Sequence, residues 1–135
     1  MRLKWTPRTD VFIHDPGAIY EMARARRFPK NRETFYVFVL DAKNRIAHGE
    51  CVSIGTLTAS LAHPREVFRL AVRHAAASII LVHNHPSGNP TPSREDIEIT
   101  ERLAEAGRVL GIDLLDHVIL GSKGRFESLR EMGYL

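Results

Sequence analysis

Residues 83–97 read HNHPSGNPTPSREDI. Just before them lies a short apolar run, Ser78 to Val82, and after them an apolar pattern at helical spacing continues to Leu110. That order reads as a buried strand, a loop rich in Pro and Gly, and a long helix from about Arg94 to Leu110, with Gly111 at C′. His83 and His85 are two apart, so in an extended segment both imidazoles point to one side. Seven residues separate His85 from Ser93, and Asp96 falls in the first helical turn if Ser93 is the N-cap. A loop folding back through Pro86, Gly88, Pro90 and Pro92 brings that carboxylate to the imidazoles. Two His and one carboxylate are a ligand set for a catalytic zinc with an open fourth position. The same set suits other divalent ions. A plainer account stands beside this one: Ser93-x-x-Asp96 resembles a capping box with Asp in place of Glu, and Asp is favourable in a first turn without any metal.

Outward from this unit the chain alternates helix and strand. Residues 1 to about 10 read as an extended arm. Asp15-Pro16 fits an N-cap and first helical position, Ala18 to Arg27 a short helix, and Phe28-Pro29 its stop. Thr34 to Leu40, TFYVFVL, is apolar on both faces, which predicts a buried strand. Asp41 to Asn44 is turn chemistry, and Arg45 to Ile54 completes a hairpin. Pro64 opens a second helix, whose Val67, Phe68, Ala71, Val72 and Ala75 recur at helical spacing. Leu114 to Leu120 is a further strand; Phe126 falls in a last short one, and Leu129 to Met132 in a final helical turn. The simplest packing is α/β, a mixed β-sheet flanked by helices on both faces. The arm is placed at 1–12 and the domain at 13–135.

The chain has 135 residues, enough for one domain with its own core. Hydrophobic residues are 44% and charged residues 26%, which excludes a disordered chain. The longest apolar run, Ala75 to Val82, is too short to span a bilayer. The start, MRLKWTPRTD, has no apolar segment behind its charges, so no secretory signal is read and the expected compartment is the cytoplasm. The one cysteine, Cys51, excludes a disulfide framework and a multi-cysteine zinc site, and reads as a half-buried apolar residue. The net charge of +3 is too small to indicate nucleic acid by itself. Arg24, Arg26, Arg27, Lys30 and Arg32 are concentrated in nine residues, read either as a phosphate-binding patch or as a solvated helix end.

The spacing His83-x-His85-Pro86, Ser93 and Asp96 matches the JAMM motif of MPN-domain metalloproteases, and the stretch HNHPSGNPTPSREDI resembles the RadC family in particular. Pro64-Arg65-Glu66-Val67-Phe68, Gly107 with Leu110-Gly111, and Asp116-His117-Val118-Ile119 extend the resemblance over roughly residues 15 to 130. It implies an MPN (JAMM) fold with a cytidine-deaminase-like three-layer arrangement. It also implies a zinc metallohydrolase, a peptidase or isopeptidase, with one Zn2+ per chain held by His83, His85 and Asp96. Ser93 corresponds to the serine that supports the oxyanion. The pattern calls for an upstream glutamate as general base, and Glu33 matches its place, ahead of Glu66 and then Glu50. Glu50 reads as solvent-facing in the second hairpin strand. Glu66 is explained by the helix dipole alone. RadC-type proteins commonly carry a helix-hairpin-helix region before this domain, and none is expected in a chain whose domain begins so near Met1.

Of the other histidines, His117 in an apolar strand reads as a hydrogen-bonded core imidazole, and His14, His48, His63 and His74 as surface or capping residues. The letters H-N-H at 83–85 are not the HNH nuclease motif, which is spread over a ββα element. There is no H-E-x-x-H helix, and a deaminase P-C-x-x-C segment is forbidden by the single cysteine. The expected partner is a peptide or protein substrate, with no membrane involvement and the oligomeric state left open. The alternative is a DNA-associated accessory or repair module, with or without nuclease activity. It rests on the basic cluster, the pI of about 9.4 and the family name, and its binding would weaken steeply with salt.

Overall fold

The computed structural model describes residues 4–5, 15–24, 31–54 and 63–135. In chain order the elements are β1 (Lys4–Trp5), α1 (Pro16–Arg24), β2 (Thr34–Leu40), β3 (Ile46–Ile54), α2 (Pro64–Arg73), β4 (Ser78–Asn84), α3 (Arg94–Leu110), β5 (Asp113–Leu120) and β6 (Phe126–Ser128). The strands form one mixed sheet in the order β1-β3-β2-β4-β5-β6. Only the β4–β5 pair is parallel, as expected for two strands joined by a crossover helix, here α3. β2 and β4 lie inside the sheet and are buried along their whole length, which is why both read as unbroken apolar runs.

Alternation along the strands sends two sets of side chains to two faces. Phe35, Val37, Val39, Ile79 and Leu81 pack with Val67, Phe68 and Ala71 of α2 and with Ile99 and Leu103 of α3. Tyr36, Phe38, Leu40, Ile80, Val82 and Cys51 pack with Ile19 and Ala23 of α1 on the other face. The result is three layers, helix on sheet on helices, with β4 at the centre. Among the described residues, no helix is long and apolar enough to cross a membrane.

Helix ends follow from local chemistry. Asp15 Oδ1 accepts the Ala18 N–H at 2.8 Å. His63 caps α2, its ring accepting the Arg65 N–H. α3 ends at Gly111, whose φ of 73° is left-handed. One turn earlier a Cβ on Gly107 would lie 2.3 Å from the Ile112 carbonyl oxygen, so the chain leaves α3 through a space only glycine allows.

Three expectations change. Glu50 is not solvent-facing: it is 3% exposed. Its face of β3, shared with Val52, is the one α2 covers, and Glu50 pairs with His48 Nε2 at 3.3 Å. His48 is half-buried rather than at the surface, its ring stacked 3.7 Å from that of His74, which caps the C-terminal end of α2 as expected. Cys51 is fully rather than half buried. The first helix begins at Pro16, the first helical position that Asp15-Pro16 predicts. Its expected end at Arg27 and the Phe28-Pro29 stop lie outside the described residues, as do His14, most of the arm and three of the five basic-cluster residues.

Candidate metal centre

The centre forms where β4 runs out at the mouth of the sheet. His83, in ladder with Phe35 of β2 and Ile119 of β5, is fully buried on the α3 face. His85 follows one residue past the strand, its N–H bonded to the Leu120 carbonyl at 2.9 Å. The two rings therefore share a side, as their spacing predicts, and their Nε2 atoms are 3.0 Å apart. Asp96, in the first turn of α3, completes the group: Oδ1 is 3.3 Å from His83 Nε2 and Oδ2 is 3.1 Å from His85 Nε2. Glu33, just before β2, brings Oε1 to 3.9 Å from His85 Nε2. Glu33, His83 and His85 each offer one donor atom, all within 4.8 Å of one another.

Proton accounting shows what this point can hold. Thr100 Oγ1 donates to the Asp96 carbonyl at 2.7 Å, so toward His117 Nδ1, at 2.6 Å, it can only accept. His117 thus carries its proton on Nδ1, and its bare Nε2 accepts from His83 Nδ1 at 2.7 Å. His83 Nε2 is then a lone pair. On His85, Nδ1 donates to the Asn89 carbonyl at 2.8 Å, which leaves a lone pair on its Nε2 as well. Two lone pairs and a carboxylate converge, a donor set that suits a divalent cation. Ligands around a tetrahedral ion with bonds of about 2.0–2.1 Å stand about 3.3 Å apart. The two imidazole Nε2 atoms, 3.0 Å apart, are near that spacing, and each has a different Asp96 oxygen beside it, at 3.3 Å from His83 and 3.1 Å from His85.

In the metal-free protein a proton does part of this work. The hydrogen bond with Asp96 raises the His85 pKa against the opposing effect of burial, with help from the Asn89 carbonyl and the Glu33 charge. Burial pushes Asp96 up, but the His83 and His85 rings beside it and the Ser93 N–H outweigh it and hold the carboxyl well below its usual range. His117 is pushed well below the ordinary imidazole value by burial and by the neighbouring His83, so it is a neutral donor–acceptor relay.

Second-layer contacts fix each group. Ser93 Oγ accepts the Asp96 N–H at 3.1 Å and Asp96 Oδ2 accepts the Ser93 N–H at 2.8 Å, a reciprocal capping box. The plainer account of this pair is therefore correct as far as the helix cap goes, and the same carboxylate also lies against both imidazoles. The Ser93 hydroxyl spends a lone pair on the cap and keeps its proton to donate. The loop is secured from outside: the Gly88 carbonyl accepts the Ser122 N–H at 2.9 Å and Arg125 Nη2 at 2.7 Å. A Cβ on Gly121 would lie 2.5 Å from the Gly88 oxygen, so the β5–β6 connection touches the loop backbone directly. An open cleft of about 450 Å³ faces the centre, lined by Asn31, Arg32, Glu33, His85, Pro86, Ser87 and Ser93.

Of the three candidate bases, Glu33 stands at the imidazoles. Glu66 pairs with Arg69 on the surface of α2 at 3.4 Å, and Glu50 pairs with His48. Sequence reasoning missed Asn84, Thr100 and the relay role of His117. The available signal was polar residues at inward positions of otherwise apolar elements.

The RadC-like JAB domain matches residues 13–134. The chain is 52% identical over 135 residues to the UPF0758 protein STH371 of Symbiobacterium thermophilum, covering all of this chain and 57% of that protein. It is 50% identical over 134 residues to the UPF0758 protein GWCH70_2550 of a Geobacillus species, covering 99% and 58%. A UPF0758 protein of Methanosarcina mazei is 50% identical over 123 residues, 91% of this chain and 53% of that one. The chain thus spans somewhat more than half the length of these relatives.

Proposed function

The chain belongs to the RadC family of JAB-domain proteins, and from that premise we propose that it is a zinc-dependent hydrolase of amide bonds, a metallopeptidase or isopeptidase. The observation that carries the reading is the convergence of two imidazole lone pairs and a buried carboxylate beside a second carboxylate that faces an open cleft. The two carboxylates divide the work by position. Asp96 touches both imidazoles, is buried and is locked by the capping box, which suits a ligand. Glu33 is farther away, half-buried and on the cleft, which suits a base.

When bound, a zinc ion supplies Lewis acidity and lowers the pKa of a water in its open position to about 7. His83, His85 and Asp96 would hold the ion. Glu33 accepts the proton of the attacking water and passes it to the leaving nitrogen. The free hydroxyl proton of Ser93 donates to the oxygen that gains charge, a contact of a kind typically worth about 3 kcal/mol in a transition state. The open cleft beside Glu33 and His85 leaves room for a substrate, which on this reading is a peptide or protein. Of the basic cluster behind the DNA-binding alternative, Arg24 pairs with Glu21 at 3.7 Å on the exposed face of α1, and Arg26, Arg27 and Lys30 lie outside the described residues.

The test combines metal analysis of purified protein with digestion of a broad peptide library by wild type, Glu33→Gln and His85→Ala. One zinc per chain is expected in wild type and Glu33→Gln, loss of it in His85→Ala, and cleavage only by wild type. Absence of bound divalent metal in wild type refutes the proposal. A DNA shift at low salt that persists in both variants would favour the accessory-module reading.

A further inference from the structure

Asn84 sits between the two imidazole residues at the end of β4, and strand alternation turns its side chain to the opposite face. It is 6% exposed. Its Oδ1 accepts from both Thr34 N–H and Thr34 Oγ1 at 2.8 Å, and its Nδ2 donates to the Arg32 carbonyl at 2.9 Å. One amide therefore grips the backbone on both sides of Glu33. The β2–β4 ladder ends at the Phe35–His83 pair, while the β2–β3 ladder runs on to Thr34–Ile54, so Glu33 lies just before the first paired residue of β2 and outside the β2–β4 ladder. Asparagine suits the task because it offers an acceptor and a donor in one short plane. Aspartate would lack the donor and alanine both.

We infer that Asn84 is a positioning residue for Glu33, tying the backbone on either side of that carboxylate to the same strand that carries both imidazoles. The inference rests on the metal reading above. Three described hydrogen bonds of one side chain then help to set the 3.9 Å between Glu33 Oε1 and His85 Nε2. Productive geometry at such sites tolerates displacements of only about 0.5 Å, so a base held from the ligand strand moves with the ligands rather than with the loop before it.

The test is a double-mutant cycle on zinc affinity, which needs no hydrolysis, read beside hydrogen exchange of the Thr34 amide. In the wild-type background, Glu33→Gln removes a negative charge close to the ion and weakens zinc by about tenfold. In an Asn84→Ala background the same change weakens zinc by less than about twofold, because the carboxylate is no longer held there. Thr34 exchange quickens by at least about tenfold in Asn84→Ala. Thr34→Val, which cuts one of the three bonds and leaves Asn84 in place, moves both readouts the same way by less. It serves if Asn84→Ala does not fold. An equal Glu33→Gln effect in both backgrounds overturns the inference, and so does unchanged Thr34 exchange. Complete loss of zinc from a folded Asn84→Ala protein also overturns it, assigning Asn84 to the imidazoles instead. If wild type binds no divalent ion, the metal reading falls and this inference with it. Thr34 exchange then separates that failure from a failure of the anchor.

Discussion

Replacing Thr100 by valine removes one hydroxyl from a buried relay and leaves the helix shape intact. In the native protein that hydroxyl accepts from His117 Nδ1 at 2.6 Å, and His117 Nε2 accepts from His83 Nδ1 at 2.7 Å. Without it, a ring with no solvent exposure has two choices. It keeps its proton on Nδ1 unpaired, at a cost of about 1–3 kcal/mol. Or it moves the proton to Nε2, which reverses the bond to His83 and drives the His83 proton onto Nε2, where the ion belongs. Either choice disfavours the metal-binding tautomer. At about 1.4 kcal/mol per factor of ten, zinc affinity is expected to fall by about 10- to 100-fold, the range seen when outer-layer partners of ligating histidines are lost. Competition with a chromogenic chelator at pH 7.5 measures it, with Thr100→Ser as the control that keeps the hydroxyl and stays near wild type. A folded Thr100→Val protein within twofold of wild-type affinity would refute the relay.

Asp96→Asn should weaken zinc by at least about 100-fold, because an amide neither supplies the charge nor bridges both imidazoles; metal content after dialysis checks it. Zinc affinity should also fall with acidity. The His85 pKa is raised in the metal-free fold, so its pairing stabilises that fold fully below the unfolded value of about 6.5 and the contribution fades as pH rises through the folded value. Zinc must displace this proton, so the zinc-induced rise in Tm should shrink from pH 8 to pH 5.5, with affinity losing about tenfold per pH unit once His85 is protonated. Asp96 titrates below this window, its pKa being lowered. Gly107→Ala, whose new methyl would meet the Ile112 oxygen at 2.3 Å, should cost about 1–3 kcal/mol in urea denaturation without changing zinc stoichiometry.

The elements that sequence reveals most directly are those whose pattern is local. TFYVFVL is buried on both faces and became β2; Ser93 and Gly111 bracket α3 by their own cap chemistry. The pairing of β4 with β5 in parallel, and the place of β2 beside β4, depend on contacts far apart in sequence and leave no local trace. Glu50 misled for the same reason. Alternation along β3 shows that His48, Glu50 and Val52 share a face, but not that α2 covers it. His117 shows a subtler limit. The strand DLLDHVIL marks it as an inward imidazole, while its value lies in what it touches, a second histidine from β4 and a threonine from α3. A directional chain of protons across three elements is visible only when they are assembled.

A connection made of Pro, Gly, Asn and Ser would ordinarily wander, yet this one has its Gly88 carbonyl pinned by Ser122 and Arg125. Those bonds come from the β5–β6 connection and need no ion. Calcium, which takes six to eight oxygens at about 2.3–2.6 Å, would meet two imidazoles and two carboxylates here, a donor set too poor in oxygen for it, so it is expected to compete badly with zinc.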